Sequence, residues 1–330
     1  MGKISLLVNE DKRNTVFAEN YYERLRKFGE LCIYDRVDFS DGEYVKEFVK
    51  DSEIIITSWE SPKIDKGILD ACPNLKAVIH GAGSVKPVVT DELVSKNIRM
   101  TGSAVAIGEG VAESALAFAI SAVKGFYWLG DDVRAGKCWE CGASVKDFYE
   151  ITVGVISGGF VGRHMVKLLK NFHVDILMYD PILTKEEIEE IGAKKVELDE
   201  LMSLSDVVSV HAPSIPATDN MLNKDNLSLL KDGAVIVNTS RGSVINEADL
   251  LEALKTKRIS ACLDVTNPEP PAADSELLTL PNVVITPHIA GTCTNGKKRI
   301  ALHVCEEVER LVNGEKMRTE IDLSKLSTMA

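Results

Sequence analysis

Three residues in the second half of the chain have side chains suited to acid–base chemistry: Arg241, Glu269 and His288. A guanidinium binds a carboxylate through two hydrogen bonds and keeps its charge. An imidazole can give a proton to a carbonyl oxygen or take one from a hydroxyl near neutral pH. A neighbouring carboxylate orients that imidazole. Together they suit the interconversion of a 2-keto acid and a 2-hydroxy acid. Arg241 then holds the acid, His288 exchanges the proton and Glu269 orients His288.

A glycine-rich turn precedes these residues in the chain. It follows the apolar run Thr152–Ile156 and opens a segment with helical character. In dinucleotide sites of this kind one glycine lets the backbone approach the pyrophosphate, and another permits close packing of helix on strand. The helix N-terminus attracts the negative charge. We therefore expect a nicotinamide dinucleotide to be bound by Gly159, Phe160, Val161 and Gly162.

Two residues near this turn bear on the choice of cofactor. Asp180 ends the next predicted strand, where a carboxylate binds the adenosine ribose hydroxyls and repels a 2′-phosphate. This favours NAD over NADP. Ser157 occupies the place of the first glycine in the G-x-G-x-x-G pattern, and a glycine follows it at Gly158. A plain turn between a strand and a helix is the alternative interpretation of this segment.

Alternation of short β-branched runs with helix-compatible segments predicts the α/β class, with two doubly wound parallel-sheet domains. The carboxyl ends of parallel strands meet at one edge of a sheet, so the reactive segments should converge in one crevice. The predicted strands are Ile4 to Val8, Ile54 to Thr57, Ala77 to His80, Ile98 to Met100, Thr152 to Ile156, Asp175 to Tyr179, Val207 to Val210, Ala234 to Asn238, Ala261 to Asp264 and Val283 to Thr286. Helices are predicted from Glu109 to about Val123 and from Gly296 to Val312.

A second glycine turn follows the predicted strand that ends at His80. Its backbone N–H groups, notably those of Gly83 and Ser84, could hold the carboxylate of the substrate. His80 could contact the substrate, and Trp59 either lines the substrate pocket or lies at the edge of the core.

With these motifs the sequence resembles the D-isomer-specific 2-hydroxyacid dehydrogenase family over essentially the whole chain. The most specific matches are the segment that ends in Arg241-Gly242 and the Thr286-Pro287-His288 segment, with Asp264 and Glu269 between them. The resemblance implies that Arg241 binds and polarises the substrate and that His288 is the acid/base with Glu269 as its partner. It implies that Asp264 holds the nicotinamide carboxamide. Further cofactor contacts follow from the resemblance at His211, Ala212, Pro213, Thr218 and Thr239.

The resemblance also implies a domain organisation. A flavodoxin-like substrate domain comprises residues 1–101 and 293–330, and a Rossmann NAD-binding domain, 102–292, is inserted into it. Members of the family are commonly homodimers through the region that matches 104–150. The implied activity is NAD-dependent and D-specific. An NAD(H)-sensing binding protein on the same scaffold, and a dehydrogenase of formate or phosphoglycerate, are the alternatives, and the motifs do not name the 2-hydroxy acid.

Composition excludes several other classes of protein. The 330 residues carry a net charge of −12, which argues against binding to nucleic acid or to anionic membranes. The most apolar stretch, Val111–Val123, is interrupted by Glu113, so no membrane span is expected. Seven cysteines, odd in number and scattered, do not form a disulfide framework and indicate the reducing cytoplasm. Cys138 and Cys141 form a C-x-x-C without a nearby second pair, so we expect no metal.

Overall fold

The computed structural model describes residues 2–137 and 145–328. The chain forms two compact units: one comprises the chain up to Ile107 together with Thr292–Thr328, and the other comprises Gly108–Gly291. The domain boundaries predicted from the sequence were 101/102 and 292/293. Cys138 and Cys141 lie outside the described residues.

Twelve strands in the described chain form two parallel sheets. The five-stranded sheet of the first unit contains β1 (Lys3–Leu6), β2 (Glu30–Ile33), β3 (Ser52–Thr57), β4 (Ala77–His80) and β5 (Arg99–Gly102). The seven-stranded sheet of the second unit contains β6 (Thr152–Ile156), β7 (Asp175–Tyr179), β8 (Lys194–Lys195), β9 (Val207–Val210), β10 (Val235–Asn238), β11 (Ser260–Leu263) and β12 (Val283–Ile285).

The strand orders identify both sheets as doubly wound. The first is ordered β2-β1-β3-β4-β5, which is the flavodoxin-like order, and the second β12-β11-β10-β9-β6-β7-β8. The order of the second sheet reverses between β6 and β9, which are adjacent although β7 and β8 separate them in the chain. Ligands bind outside the carboxyl ends of the strands at such a reversal. The predicted fold class is confirmed.

The helices of the described chain connect these strands in the α/β pattern. They are α1 (Glu10–Val16), α2 (Glu19–Arg26), α3 (Gly42–Val49), α4 (Lys66–Ala71), α5 (Asp91–Ser95), α6 (Ala104–Val123), α7 (Phe126–Arg134), α8 (Phe160–Leu169), α9 (Lys185–Ile191), α10 (Leu198–Leu204), α11 (Lys224–Ser228), α12 (Glu247–Lys255) and α13 (Lys297–Val312). Of these, α6 begins five residues before the predicted start at Glu109.

Both faces of each sheet are buried, as the continuous apolar runs predict. Ile54 and Ile56 of β3 belong to one apolar cluster of the first unit, whereas Ile55 belongs to the cluster on the opposite face. In the second unit, Ile236 of β10 packs in one cluster and its neighbours Val235 and Val237 pack in another. Successive strand residues point to opposite faces, so this division shows that helices cover each sheet on both sides.

The sequence did not predict β2 and β8, which lie at the edges of their sheets. The residues of β2 are exposed or half-buried, and β8 consists of two lysines. Short, charged edge strands limit unwanted pairing with other chains, and they therefore lack the apolar run that marks a central strand.

Helix α6 contains and extends the apolar stretch Val111–Val123, for which no membrane span was expected. It has 20 residues and is, among the described residues, the one helix long and apolar enough to cross a membrane by length and composition. The core helix of a globular protein passes the same test. The helix also carries Glu109 and Glu113, whose charges disfavour a lipid environment.

Candidate active site

His288 and Glu269 form a close pair at the carboxyl edge of the seven-stranded sheet. Nδ1 of His288 lies 2.6 Å from Oε1 of Glu269. The two side chains are 43% and 42% exposed. The distance is that of a strong hydrogen bond. Because Nδ1 faces Glu269, Nε2 is the ring nitrogen that is left to face a ligand.

The backbone around His288 is held by a buried carboxylate. His288 has φ 53, and its N–H donates to the carbonyl oxygens of Asp264 and Thr286, each at 3.0 Å. The Asp264 carboxylate, 1% exposed, accepts the N–H groups of Ile289 at 3.0 Å and Ala290 at 2.9 Å and the hydroxyl of Thr286. Asp264 therefore positions the His288 loop. Its predicted contact with the nicotinamide carboxamide stays a prediction.

The turn after β10 presents Arg241 at the surface. Asn238, the last residue of β10, accepts the N–H of Ser240 at 3.0 Å and donates to the carbonyl of Arg241 at 3.0 Å. A Cβ on Gly242 would lie 2.0 Å from the carbonyl oxygen of Thr266, so only glycine fits there. The guanidinium donates to the Ser240 carbonyl at 2.7 Å and has no ion pair within the described chain. An exposed cation of this kind is available to a carboxylate.

Sequence reasoning did not single out Asn238 for this role. The signal was present, because asparagine at the end of a strand commonly bonds to the backbone two residues further on. Sequence motifs marked the charged residue of the segment, while the neutral residue that shapes the turn escaped notice.

The turn between β6 and α8 has the shape that a pyrophosphate needs. A Cβ on Gly162 would lie 2.0 Å from the carbonyl oxygen of Ser157, so this position requires glycine. A Cβ on Gly159 would meet only Ser157 Oγ, at 3.9 Å, so the chain is open to a ligand there. Helix α8 begins at Phe160, and Val161 lies in its first turn. Ser157 itself has φ 79, a left-handed conformation that glycine adopts without strain.

Asp180, which follows β7, lies against this turn. Its carboxylate, 7% exposed, accepts the N–H of Gly158 at 2.8 Å. The other oxygen accepts the N–H groups of Ile182 and Leu183, at 2.8 and 3.0 Å. The acid is therefore fixed beside the glycine turn, where it was predicted to bind the ribose hydroxyls.

Two buried polar atoms at the ends of β9 and β10 have no hydrogen-bond partner in the described chain: Nδ1 of His211 and Oγ1 of Thr239. The other ring nitrogen of His211 lies 2.9 Å from Oγ of Ser209. Burial lowers the pKa of His211 to about 3, so its ring is neutral at physiological pH. Buried polar atoms are nearly always paired. Orphaned atoms at this edge therefore fit a site whose remaining partners belong to a bound dinucleotide.

The segment after β9 brings the other predicted cofactor residues into one loop. The Thr218 hydroxyl donates to the carbonyl of Pro213 and accepts the N–H of Ile215, the latter at 3.1 Å. Ala212 is buried in the core of the second unit, and Pro213 is half-buried. Thr218 thus closes the loop onto itself. Its predicted contact with the cofactor is not tested by this geometry.

A sequence model of one protein family matches residues 116–290, more than half of the chain. The family is described as "D-isomer specific 2-hydroxyacid dehydrogenase, NAD binding domain". The chain belongs to this family. The region that matches contains the glycine turn, Asp180, Arg241, Glu269 and His288.

Individual relatives extend the similarity beyond that region. The chain is 31% identical over 315 residues to a D-3-phosphoglycerate dehydrogenase of Archaeoglobus fulgidus, covering 94% of this chain but only 58% of that protein. It is 30% identical over 301 residues to a hydroxypyruvate reductase of Blautia hydrogenotrophica, covering 89% and 92%. The solved structure of a phosphoglycerate oxidoreductase from Rhizobium etli has the same fold, with a TM-score of 0.82, 21% identity and 97% of each chain covered.

In this member of the family, the first unit carries the second predicted binding turn. Gly83 and Ser84 follow β4 and are half-buried. A Cβ on Gly83 would meet only the side chain of Ile107, at 3.6 Å. His80 is 2% exposed and lies under the turn, so its ring is not at the surface where the sequence suggested it could contact a substrate. Trp59 is partly buried and packs against an apolar cluster of the first unit.

Proposed function

We propose that the chain is an NAD-dependent oxidoreductase that interconverts a small 2-keto acid and the corresponding D-2-hydroxy acid. The observation that carries the proposal is the 2.6 Å contact between His288 and Glu269, at the same sheet edge as the glycine turn. Family membership supports it. The chain spans just over half of the D-3-phosphoglycerate dehydrogenase it matches, so the activity is inferred from the site as well as from the relative.

In the proposed mechanism His288 holds the proton that moves. Glu269 binds Nδ1 and fixes the ring, so Nε2 faces the substrate oxygen, to which it gives a proton in reduction and from which it takes one in oxidation. The nicotinamide, when bound, supplies or accepts the hydride. Asp264 keeps His288 in place through the backbone of its loop. The pair is partly exposed, so a proton can be exchanged with solvent between turnovers.

Arg241 is the proposed anchor of the substrate carboxylate, and the amides of Gly83 and Ser84 are a second proposed anchor. The guanidinium is exposed and lacks an ion pair in the described chain. An Arg241→Ala variant should raise KM for the 2-keto acid by about 10- to 100-fold, because hydrogen bonds to a charged group contribute about 1.5–3 kcal/mol. Arg241→Lys keeps the charge but loses the paired N–H groups of the guanidinium, so its KM should lie between those of the wild type and Arg241→Ala. A KM unchanged in both variants would contradict this role.

We further propose that NAD is preferred over NADP. The support is Asp180, whose carboxylate is fixed beside the glycine turn by three backbone N–H groups. A phosphate on the ribose would meet a like charge there. Asp180→Ser should therefore lower the preference, measured as the ratio of kcat/KM with NADH to that with NADPH. An unchanged ratio would oppose the assignment.

The central test is the loss of NADH absorbance with a panel of 2-keto acids, with NADPH run in parallel. Hydroxypyruvate and phosphohydroxypyruvate represent the named relatives, and glyoxylate, pyruvate and branched 2-keto acids extend the range. Turnover of one acid, with the D-hydroxy acid as product, supports the proposal and names the substrate. Binding of NADH without turnover of any acid would instead favour the NAD(H)-sensing alternative.

We also propose a homodimer formed through the 104–150 region. Only 28% of the most apolar window of α6 is buried, and Phe126, Val133 and Tyr149 are 63%, 43% and 56% exposed. A second copy of the chain would cover this apolar surface. Light scattering should give twice the monomer mass, and Phe126→Asp should shift it toward the monomer. A monomeric wild type would refute the dimer.

Finally, we propose that the protein works in a reducing compartment such as the cytoplasm. The five described cysteines are free thiols. Burial raises the pKa of the Cys262 and Cys305 thiols to about 12, which suppresses the reactive thiolate.

A further inference from the structure

The second binding turn rests on a buried histidine. His80 is the last residue of β4 and is 2% exposed. Its Nδ1 lies 2.8 Å from Oγ1 of Thr57, the last residue of the neighbouring strand β3. Thr57 is fully buried. Burial lowers the pKa of His80 to about 4, so the ring is neutral at physiological pH.

A neutral imidazole has one donor and one acceptor nitrogen, and the contacts decide which is which. The ring of His80 also has a hydrogen bond with the backbone of Ser84, which raises the pKa of the ring and so opposes the effect of burial. This is the effect of a ring N–H that donates to a carbonyl oxygen. Nδ1 faces Thr57, so the donor is Nε2, and Nδ1 accepts the Thr57 hydroxyl. The neutral ring thus links Thr57 to Ser84.

Other buried donors hold the carbonyl groups of the same turn. The Ser58 hydroxyl donates to the Gly81 carbonyl at 2.9 Å. Ser103 donates through its hydroxyl to the His80 carbonyl at 3.0 Å and through its N–H to the Ala82 carbonyl at 2.9 Å. In a trans peptide the N–H points away from the preceding C=O. Each captured carbonyl therefore turns the next amide away from the donors.

The backbone N–H groups of Ala82 and Gly83 are the amides that these carbonyl contacts turn away from the donors. Within the described chain neither N–H has a protein acceptor. Two successive amides aimed the same way form a cradle for an anion. The donors beneath them fix the cradle before a ligand arrives, which reduces the ordering cost of binding.

We propose that His80 is a positioning residue for substrate: its ring, held between Thr57 and Ser84, ties the end of β4 to the far side of the turn and so keeps the turn in the shape in which the amides of Ala82 and Gly83 bind the carboxylate of the 2-keto acid. This inference rests on the proposed function, and it moves the second anchor by one residue, from the amides of Gly83 and Ser84 to those of Ala82 and Gly83. His80 does not touch the substrate. It acts through the Ser84 carbonyl, at the opposite end of the cradle from the Ser58 and Ser103 contacts.

Two substitutions of His80 separate its two hydrogen bonds. Glutamine places an amide nitrogen near the position of Nε2, so His80→Gln can still donate to Ser84. Asparagine reaches only the position of Nδ1, so His80→Asn keeps the Thr57 contact and loses the Ser84 contact. We expect His80→Asn to raise KM for the 2-keto acid about tenfold, which corresponds to one lost hydrogen bond. His80→Gln should stay near wild type, and kcat and the Kd for NADH should change little in both.

The readout includes a measurement that does not need turnover. Titration calorimetry with oxamate, a 2-keto acid analogue, in the presence of NADH should show the same tenfold loss of affinity in His80→Asn. Thermal melting of each variant checks the fold. If His80→Asn does not fold, Thr57→Val replaces it in the test, because it removes the hydroxyl that donates to Nδ1 of His80. This variant should weaken oxamate binding and leave the Kd for NADH unchanged.

The outcomes distinguish failure of this inference from failure of the proposed function. Unchanged KM and oxamate affinity in His80→Asn, with a wild type that turns over, would overturn the inference and leave the proposed function intact. A parallel loss of kcat, NADH affinity and oxamate affinity, not restored in His80→Gln, would also overturn it, because a general structural defect moves all three. A wild type that neither turns over a 2-keto acid nor binds oxamate would overturn the proposed function, and this inference with it.

Discussion

His288 and His80 both stand at the carboxyl ends of parallel strands, and the roles proposed for them are opposite uses of the same side chain. His288 is 43% exposed and faces the Glu269 carboxylate, whereas His80 is 2% exposed and faces the Thr57 hydroxyl. Burial lowers the pKa of His80 to about 4 and keeps its ring neutral. Exposure and the charge of the partner, rather than the residue type, decide whether a histidine exchanges protons or holds a backbone.

The two regions also differ in what holds the backbone. In the His288 loop a buried acid, Asp264, binds the N–H groups of Ile289 and Ala290, and the histidine is the residue held in place. In the turn after β4 the histidine itself is the buried anchor. In both regions the buried polar group supplies position, and the chemistry is left to groups with access to a ligand. This division predicts different phenotypes for variants of the two kinds.

Loss of His288 should have the largest effect. His288→Ala should lower kcat by about 10²- to 10⁴-fold, the usual contribution of a positioned acid–base group. The Kd for NADH should be unchanged, because the glycine turn is not altered. The exposed His173→Ala serves as the matched control in the same unit and should keep wild-type turnover. If His80→Asn lowered kcat as far as His288→Ala does, the contrast between the two histidines would be lost.

Loss of the buried acid should have a smaller effect and act on stability as well as rate. Asp264→Asn keeps the shape of the side chain but replaces one carboxylate oxygen with an NH₂ group. That group cannot accept a hydrogen bond, so the N–H of Ile289 or of Ala290 loses its acceptor. The expected loss is about 1–3 kcal/mol in the free energy of unfolding, measured in urea. Asp232→Asn, at a largely exposed side chain, is the control. A variant with wild-type stability would show that Asp264 does not anchor the loop.

The sequence predicted most of the strands and the charged site residues, whereas the backbone contacts of the buried groups were not predicted. The strands that end at His80 and shortly before Asp180 and Arg241 were predicted because buried parallel strands are continuous apolar runs. Arg241, Glu269 and His288 were marked by their chemistry, and the structure brings Glu269 and His288 together. The edge strand β8 was missed, because two lysines give no apolar signal.

The supporting contacts were less accessible to sequence reasoning. Asp264 bonds to residues 22 to 26 positions later in the chain, and Thr57 and His80 are 23 positions apart. Such pairs depend on strand order, which local patterns do not specify. The sequence suggested that His80 could contact the substrate, but its burial, and hence its neutral state, became evident only from the packing of the sheet around it.

At physiological pH the smallest expected effect is that of the His80 charge on stability, because this effect develops only in acid, and it tests the buried side of the comparison. The folded pKa of His80 is about 4, below the value of 6.5 in an unfolded chain, so between these pH values the unfolded state binds the additional proton. The stability linked to the neutral ring is therefore complete above pH 6.5 and declines as the pH falls toward 4, by up to about 1.4 kcal/mol per pH unit.

Glutamine does not titrate, so His80→Gln should show a flatter dependence of unfolding free energy on pH in this window, measured by urea titrations at several pH values. His211 and His303, whose pKa values burial also lowers, are present in both proteins, so their contributions cancel in the difference. Equal slopes in wild type and His80→Gln would mean that the ring can be protonated within the fold, and that burial alone does not distinguish His80 from a histidine that exchanges protons.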